Sequence, residues 1–173
     1  AFRLAGDAGR AEELVRGQLE TTPGDANARL LLAELLQSAG RGDEALAEYA
    51  RVIDIDPDNV AALNNAAWFA HERADPRSLG YAERAAKLAP DNAAVLDTLG
   101  WILTQENRAG EGLDHLTKAA QLAPDALEIR YHLAVAQVEL GQKEAARRTL
   151  EELLAAAGPF AQRDAAQQLL RSL

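Results

Sequence analysis

Apolar residues along this chain fall into helical runs of roughly a dozen residues, which alternate with short polar turns. Alanine, leucine, glutamate and arginine fill these runs, and such side chains lose little rotamer freedom in a helix. No segment alternates β-branched residues, so we expect no sheet. The pattern predicts the end of one helix over 1–6 and complete helices over 8–21, 26–39, 43–55, 60–73, 77–89, 93–106, 110–122, 127–140, 143–156 and 160–172.

Prolines recur along the chain with a nearly constant spacing. They stand at positions 23, 57, 90, 124 and 159, so successive prolines are 34, 33, 34 and 35 residues apart. Aspartate follows three of them, as in Pro57-Asp58-Asn59. Proline cannot continue the preceding helix, and Asp or Asn can cap the next one. Each of these prolines therefore predicts a joint between two helices.

Small and apolar residues keep the same spacing in four columns. Two columns hold small residues and predict close helix crossings: Ala33, Ala67, Gly100 and Ala134, and then Ala45, Ser78, Gly112 and Ala146. Two further columns supply apolar contacts: Tyr49, Ala82, Leu116 and Leu150, and then Val52, Ala85, Ala119 and Leu153. The two small columns are 12, 11, 12 and 12 residues apart, so the second repeat lacks one residue in its turn, near Ala74.

Together these residues resemble the tetratricopeptide repeat, in which a small residue, a turn, alanine, an aromatic residue or leucine, and then Asp-Pro recur over 34 positions. The resemblance covers nearly the whole chain. It implies an all-α fold, a right-handed α-α superhelix (solenoid) of antiparallel helix pairs. The usual turn glycine is present as Gly40 and Gly141, whereas the third repeat has Asn107, which also tolerates a left-handed backbone.

We predict a single array with a truncated repeat over 1–25, full repeats over 26–59, 60–92, 93–126 and 127–159, and a capping helix over 160–173. The capping helix carries apolar residues on one side, which would cover the exposed core of the last repeat. These residues are Ala165, Ala166, Leu169, Leu170 and Leu173. The N-terminal end has no comparable cover, so we interpret the chain as the C-terminal piece of a longer array.

Charge and composition exclude several kinds of partner. The formal net charge is −9 and the pI is near 4.8, which argues against a nucleic acid or an anionic membrane. Cysteine is absent, which excludes disulfides and thiolate chemistry and leaves the cellular compartment open. No apolar run reaches the roughly 18 residues of a membrane-spanning helix.

One acidic stretch has the spacing of a calcium loop. Asp54, Asp56 and Asp58 alternate, but an EF-hand would need Gly and Glu where this chain has Asn59 and Asn65. A proline also interrupts the stretch, so we interpret it as a helix joint.

No other motif predicts catalysis or metal binding. His71, His115 and His132 share no metal-ligand spacing, and the chain lacks a phosphate-binding loop and a nucleophile motif. We therefore predict no enzyme activity, no metal and no cofactor.

The resemblance implies that the first helices of successive repeats line a concave binding surface. The candidate residues on it are Asn64, Asn65, Trp68, His71, Asp97, Trp101, Tyr131 and His132. The positions that the resemblance places in the groove include five carboxylates and no Lys or Arg. Chaperone-binding members of the family, by contrast, bind a C-terminal carboxylate with basic residues. We therefore expect a basic or neutral-polar protein or peptide partner rather than an acidic one.

Two alternatives to a protein partner remain open. Flat aromatic faces beside Asn and Asp side chains are also typical of a carbohydrate site, which would make an exported polysaccharide the ligand. Self-association through the open N-terminal end is a further hypothesis. For Trp68 and Trp101, packing alone and packing combined with ligand contact are both consistent with the sequence.

Several strings resemble a narrower group of bacterial proteins. They include residues 63–68, 81–85, 96–101 and 129–134, together with the tail over 153–173. They are similar to the C-terminal region of the multi-repeat lipoproteins associated with exosortase (PEP-CTERM) sorting and exopolysaccharide production. This resemblance implies an exported scaffold in the bacterial envelope, in the periplasm or at the outer membrane rather than in the cytoplasm.

Overall fold

The computed structural model describes residues 2–156, 158 and 160–173, with side chains from Gly9 onward, and this part of the chain forms helices and no strands. The helices are α1 (Phe2–Thr21), α2 (Ala26–Ser38), α3 (Gly42–Ile55), α4 (Val60–His71), α5 (Ser78–Leu88), α6 (Ala93–Gln105), α7 (Ala109–Leu122), α8 (Leu127–Glu139), α9 (Lys143–Ala155) and α10 (Arg163–Ser172). The all-α prediction is therefore confirmed.

The predicted helix boundaries differ from the structure by at most about three residues, except at the start of the chain. There the prediction of two helical segments is wrong, because α1 runs without a break from Phe2 to Thr21. Gly6, where the first segment was predicted to end, lies inside α1, because a helix-interior glycine costs only about 1 kcal/mol relative to alanine and does not by itself end the helix. The predicted start of the last helix is also early, since α10 begins at Arg163.

The chain divides into two compact units, Ala1–Leu88 and Ala89–Leu173. In the first unit each helix packs against the next, from α1 to α5. In the second unit α6 packs against both α7 and α8, and α9 packs against α8 and α10. Consecutive helices joined by short turns lie antiparallel, so each unit is a stack of antiparallel helix pairs. The first helices of the four complete pairs are α2, α4, α6 and α8.

Polar side chains at three helix joints cap the helix that follows. Asp25 and Asn59 each accept a hydrogen bond of 3.0 Å from a backbone N–H in the first turn of α2 and α4. Asn92 does the same for α6. These bonds confirm the predicted capping and satisfy N–H groups that a helix start leaves without a partner. The fourth joint has Ala126 at this position and no side-chain cap, and Pro159 lies outside the described residues.

The two columns of small residues lie at helix crossings, as predicted. Their alanines are fully buried, and Ser78 is 4% exposed. At the crossing of α6 and α7 the helices approach closely, since a Cβ atom added to Gly100 would lie 2.6 Å from Leu116 Cγ and 2.9 Å from the carbonyl oxygen of Gly112. The residues of the two apolar columns, from Tyr49 to Leu153, are also buried and form the core beside these crossings.

Four turns between the helices of a pair contain a residue with positive φ. It is Gly40 in the first, Asn107 in the third and Gly141 in the fourth, with φ of 73°, 63° and 69°. In the shorter second turn Ala74 has φ of 52°, a conformation that costs an L-residue with a Cβ about 1–2 kcal/mol. The repeat therefore keeps the left-handed turn even where its glycine is missing.

Helix α10 covers the core of the last repeat. Ala166 is fully buried against a cluster of Ala134, Leu150, Leu153 and Phe160. Leu169, Leu170 and Leu173 pack on the same cluster and are partly buried.

Candidate functional site

In the second unit, the face formed by the first helices α6 and α8 carries four of the predicted site residues. Asp97 and Trp101 are one turn apart on α6, so their side chains share one face of that helix. Tyr131 and His132 lie on α8, which packs against α6. Close packing of the first helices on one another thus brings side chains of successive repeats together.

His132 links the two helices. Its Nδ1 atom lies 2.8 Å from Asp97 Oδ1, and because an ionised carboxylate only accepts hydrogen bonds, Nδ1 carries the proton that is donated. The imidazole also stacks on the indole of Trp101, with ring centroids 4.2 Å apart and an interplanar angle of 26°. The ring of Tyr131 is tilted against His132 at 6.1 Å. These contacts fix the positions of the Asp97 carboxylate and the Trp101 indole.

The burial of these side chains differs. His132 is 4% exposed and is a buried residue, so the expectation that it lines an open surface is wrong. It packs between α6 and α8 instead of facing solvent. The side chain of Asp97 is 14% exposed, and Trp101 and Tyr131 are half-buried. Trp101 therefore packs against His132 and as a residue stays partly accessible.

In the first unit, two predicted site residues on α4, Asn65 and Asn64, differ from each other in their hydrogen bonding. Asn65 donates from Nδ2 to the hydroxyl oxygen of Tyr49 at 3.0 Å, and that hydroxyl donates to Gln37 Oε1 at 2.6 Å. Asn65 thus completes a hydrogen-bond chain between three helices, which is a structural role. The Oδ1 atom of Asn64 is buried and has no hydrogen-bond partner among the described residues.

Tyr49 is the buried centre of this chain of hydrogen bonds. It is fully buried, and its ring stacks on that of Phe69 with centroids 6.2 Å apart. Burial raises the pKa of Tyr49 to about 12, because the phenolate would be poorly solvated there. The phenol therefore stays protonated at physiological pH and keeps its donor role toward Gln37.

Trp68 and His71, the other predicted residues on α4, are both half-buried. Each remains a candidate residue of the binding surface because it lies on a first helix.

The sequence did not predict the hydrogen bonds that Asn65 makes in the first unit and His132 makes in the second. Asn65, Thr98 and His132 occupy equivalent positions in successive repeats, which the spacing of 33 and 34 residues could have indicated. Their partners differ, because the residue across from them is Tyr49 for Asn65 and Asp97 for His132. The position of a residue in the repeat predicts where its side chain lies, but not which residue it contacts.

Other features of the described residues lie apart from these predicted site residues. Three clefts, of about 270, 440 and 240 Å³, are lined by none of the predicted site residues. The first contains Glu48, which is 6% exposed and paired with Arg29 and Arg51, so its charge is compensated internally. Across the part of the chain that the structure describes, no group of three or more His, Asp or Glu side chains could hold a metal ion. Nor does any described helix combine the length and apolar character needed to cross a membrane.

The repeat geometry and the sequence identify the family. The profile described as "Tetratricopeptide repeat" matches residues 2–68 and 103–173, which is well over half of the chain. The chain belongs to the tetratricopeptide repeat family. Proteins of this family are generally non-catalytic scaffolds for protein–protein or protein–peptide interaction, and the helix pairs and small-residue crossings described above are those of its repeat.

Two curated relatives match part of the tetratricopeptide array. A TPR repeat-containing protein of Pseudomonas aeruginosa is 31% identical over 132 residues, which are 72% of this chain and 21% of that protein. A peroxisomal targeting signal receptor of Candida glabrata is 32% identical over 104 residues, which are 60% of this chain and 17% of the receptor. The chain thus spans about a fifth of the length of these relatives.

Solved structures share the tetratricopeptide fold at low sequence identity. A structure of MamA from Desulfovibrio magneticus RS-1, which runs from residue 41 to the end, superimposes with a TM-score of 0.76 at 16% identity, over 97% of this chain and 88% of that one. YrrB, described as a TPR protein with an unusual peptide-binding site, superimposes with a TM-score of 0.70 at 20% identity, over 82% of this chain and 74% of YrrB. At these identities the likeness concerns the fold.

Proposed function

We propose that this tetratricopeptide protein is a non-catalytic scaffold that binds an extended peptide or a peptide-like segment of a partner protein through its first helices. The observation that carries the proposal is the arrangement of Asp97, Trp101 and His132 on α6 and α8. A half-buried indole and a carboxylate, both held in place by a buried imidazole, form a rigid surface. Rigid side chains lose little conformational entropy when a ligand binds, so they favour affinity.

The chemistry of the face favours a basic or neutral-polar peptide. An anionic C-terminal tail would need basic side chains to pair with, and α6 has neither Lys nor Arg. The names of two similar proteins agree with a peptide ligand, since one is a receptor for a targeting signal and the other has a peptide-binding site.

Panning of a random peptide library against the purified chain tests this function. We expect peptides to be enriched, and we expect their binding to weaken when Trp101 is replaced by Leu in a protein that keeps its helical circular dichroism. The matched control is Leu122→Ala. Leu122 is exposed at the end of α7, which is the second helix of its pair, so this variant should leave binding unchanged. Failure to enrich any peptide would contradict the proposal.

The narrower setting that we propose is a bacterial envelope assembly for protein sorting or exopolysaccharide export. It is supported by the similarity of residues 63–68, 96–101 and 129–134 to exosortase-associated lipoproteins. Fractionation of the native host with an antibody against this chain tests it. Recovery with the envelope fractions is expected, and recovery in the cytosol alone would contradict it.

A further inference from the structure

The turn of α6 that carries Asp97 and Trp101 combines a fixed carboxylate with a partly accessible indole. We infer that this turn is a subsite for a cationic side chain of the bound peptide, and for the guanidinium of arginine before the ammonium of lysine. The inference rests on the proposed peptide-binding function and specifies the ligand chemistry of one position in it.

Asp97 supplies the negative charge of the subsite. Its Oδ1 atom accepts the hydrogen bond from His132 Nδ1 at 2.8 Å, which leaves Oδ2 as a further acceptor. The side chain is only 14% exposed, and among the described residues no Lys or Arg forms an ion pair with it. A carboxylate with so little contact with water gains more from a cationic partner than an exposed one does.

Trp101 supplies the surface beside this charge. His132 covers one face of the indole at a centroid distance of 4.2 Å, and Trp101 as a whole is half-buried. A cation held within about 6 Å of an indole face is attracted by the electron density of the ring, and the planar guanidinium also stacks on it. Since Asp97 and Trp101 are one helical turn apart on the same face, one side chain can contact both.

No Lys or Arg of the same two helices competes for this place. Helix α6 contains no Lys, Arg or His. The single arginine of α8, Arg130, precedes His132 by two residues and so points about 200° away around the helix. It lines a cleft with Thr117 of α7 and Thr149 of α9 instead. The charge around the subsite is therefore suited to a cation.

His132 acts as a positioning residue in this arrangement. Its hydrogen bond to Oδ1 and its stack on the indole lock both groups, and its burial keeps it from contacting the peptide.

The test compares two random peptide libraries that differ only at a fixed central residue, arginine in one and citrulline in the other. Citrulline has nearly the shape of arginine without its charge. We expect the wild-type chain to retain the arginine library about tenfold better, the factor that one charge-assisted contact gives. Asp97→Asn keeps the acceptor for His132 and removes the charge, so the preference should fall below about threefold. The matched control is Asp114→Asn, which removes the same charge from an exposed position on α7 and should leave the preference intact.

Each outcome is decisive. Equal retention of the two libraries by the wild-type chain overturns the cationic subsite and leaves the peptide-binding function standing. Retention of neither library overturns both. An arginine preference that survives in Asp97→Asn, or that is lost in Asp114→Asn, also contradicts the assignment. The comparison of the two libraries needs no variant, so it stays conclusive even if Asp97→Asn fails to fold.

Discussion

Gly100 allows α6 and α7 to cross at short range. An added Cβ would meet both the side chain of Leu116 and the backbone of Gly112, and the backbone atom cannot move aside without shifting α7. We expect Gly100→Leu to lower the free energy of unfolding by about 2–3 kcal/mol, as overpacking does at a tight core position. Urea unfolding followed by circular dichroism measures this change.

Gly110→Leu is the control for the Gly100 variant. It changes a glycine of α7 around which nothing lies within 4 Å of an added Cβ. Its stability should be unchanged or slightly higher, because leucine has the better helix propensity. Equal effects of the two substitutions would show that the crossing is looser than described.

Tyr49 makes stability depend on pH in the alkaline range. The pKa of this phenol is about 12 in the folded chain and about 10 in the unfolded chain, because burial disfavours the phenolate. Below pH 10 both states keep the proton, and Tyr49 contributes no pH dependence. Between pH 10 and 12 the unfolded state loses the proton first, so the free energy of unfolding should fall by about 1.4 kcal/mol per pH unit. Chemical unfolding measured at intervals between pH 9 and 12 tests this slope.

Tyr49→Phe should remove most of that alkaline slope, although the protein will be less stable at every pH because Gln37 and Asn65 lose their hydrogen-bond partner. Tyr81→Phe, which removes a half-buried tyrosine hydroxyl elsewhere in the chain, is the comparison variant. An identical slope in the wild type and in Tyr49→Phe would refute the role of burial.

The sequence could predict some of these residue-level features and not others. Periodic small residues such as Gly100 and Gly112 identified the crossings because only close helix approach requires small side chains at fixed spacing. The partners of Asn65 and His132 were not predictable in this way. A polar residue near an interface can face solvent or reach across it, and the choice depends on what the neighbouring helix offers.

At the scale of the helices, apolar periodicity and turn residues located most boundaries to within a few residues. The two ends of the chain were the exceptions. The predicted break between residues 6 and 8 is absent, and the structure has one continuous α1 there. At the other end Phe160 belongs to the core but not to α10, because an apolar residue can pack from the turn that precedes a helix.

Helix α10 stabilises the last repeat through its buried face. Ala166 is fully buried, so Ala166→Asp would place a carboxylate against Leu150 and Leu153 without a partner. We expect a loss of about 2–4 kcal/mol in the free energy of unfolding of the second unit, the usual effect of an unpaired buried charge. Gln168→Asp introduces the same charge on the exposed side of the same helix and should cost less than about 0.5 kcal/mol. If the two variants unfold at the same urea concentration, α10 does not cover the core as described.

At the scale of the whole molecule, repeat spacing and composition were sufficient to predict an all-α tetratricopeptide protein. The profile match and the solved structures confirm that prediction. They leave the ligand, the envelope setting and the groove residues as proposals. The physical reason is that a repeat is defined by its packing positions, whereas binding depends on the variable positions between them.

Hydrogen–deuterium exchange of the second unit with and without a bound peptide tests the central claim most directly. The peptide would be one selected from the arginine library, and Asp97→Asn would serve as the reference at the same peptide concentration. We predict slower exchange on the first helices α6 and α8, unchanged exchange on α7 and α9, and weaker protection in the variant. Protection confined to α7 and α9, or the same protection in Asp97→Asn as in the wild type, would contradict the account.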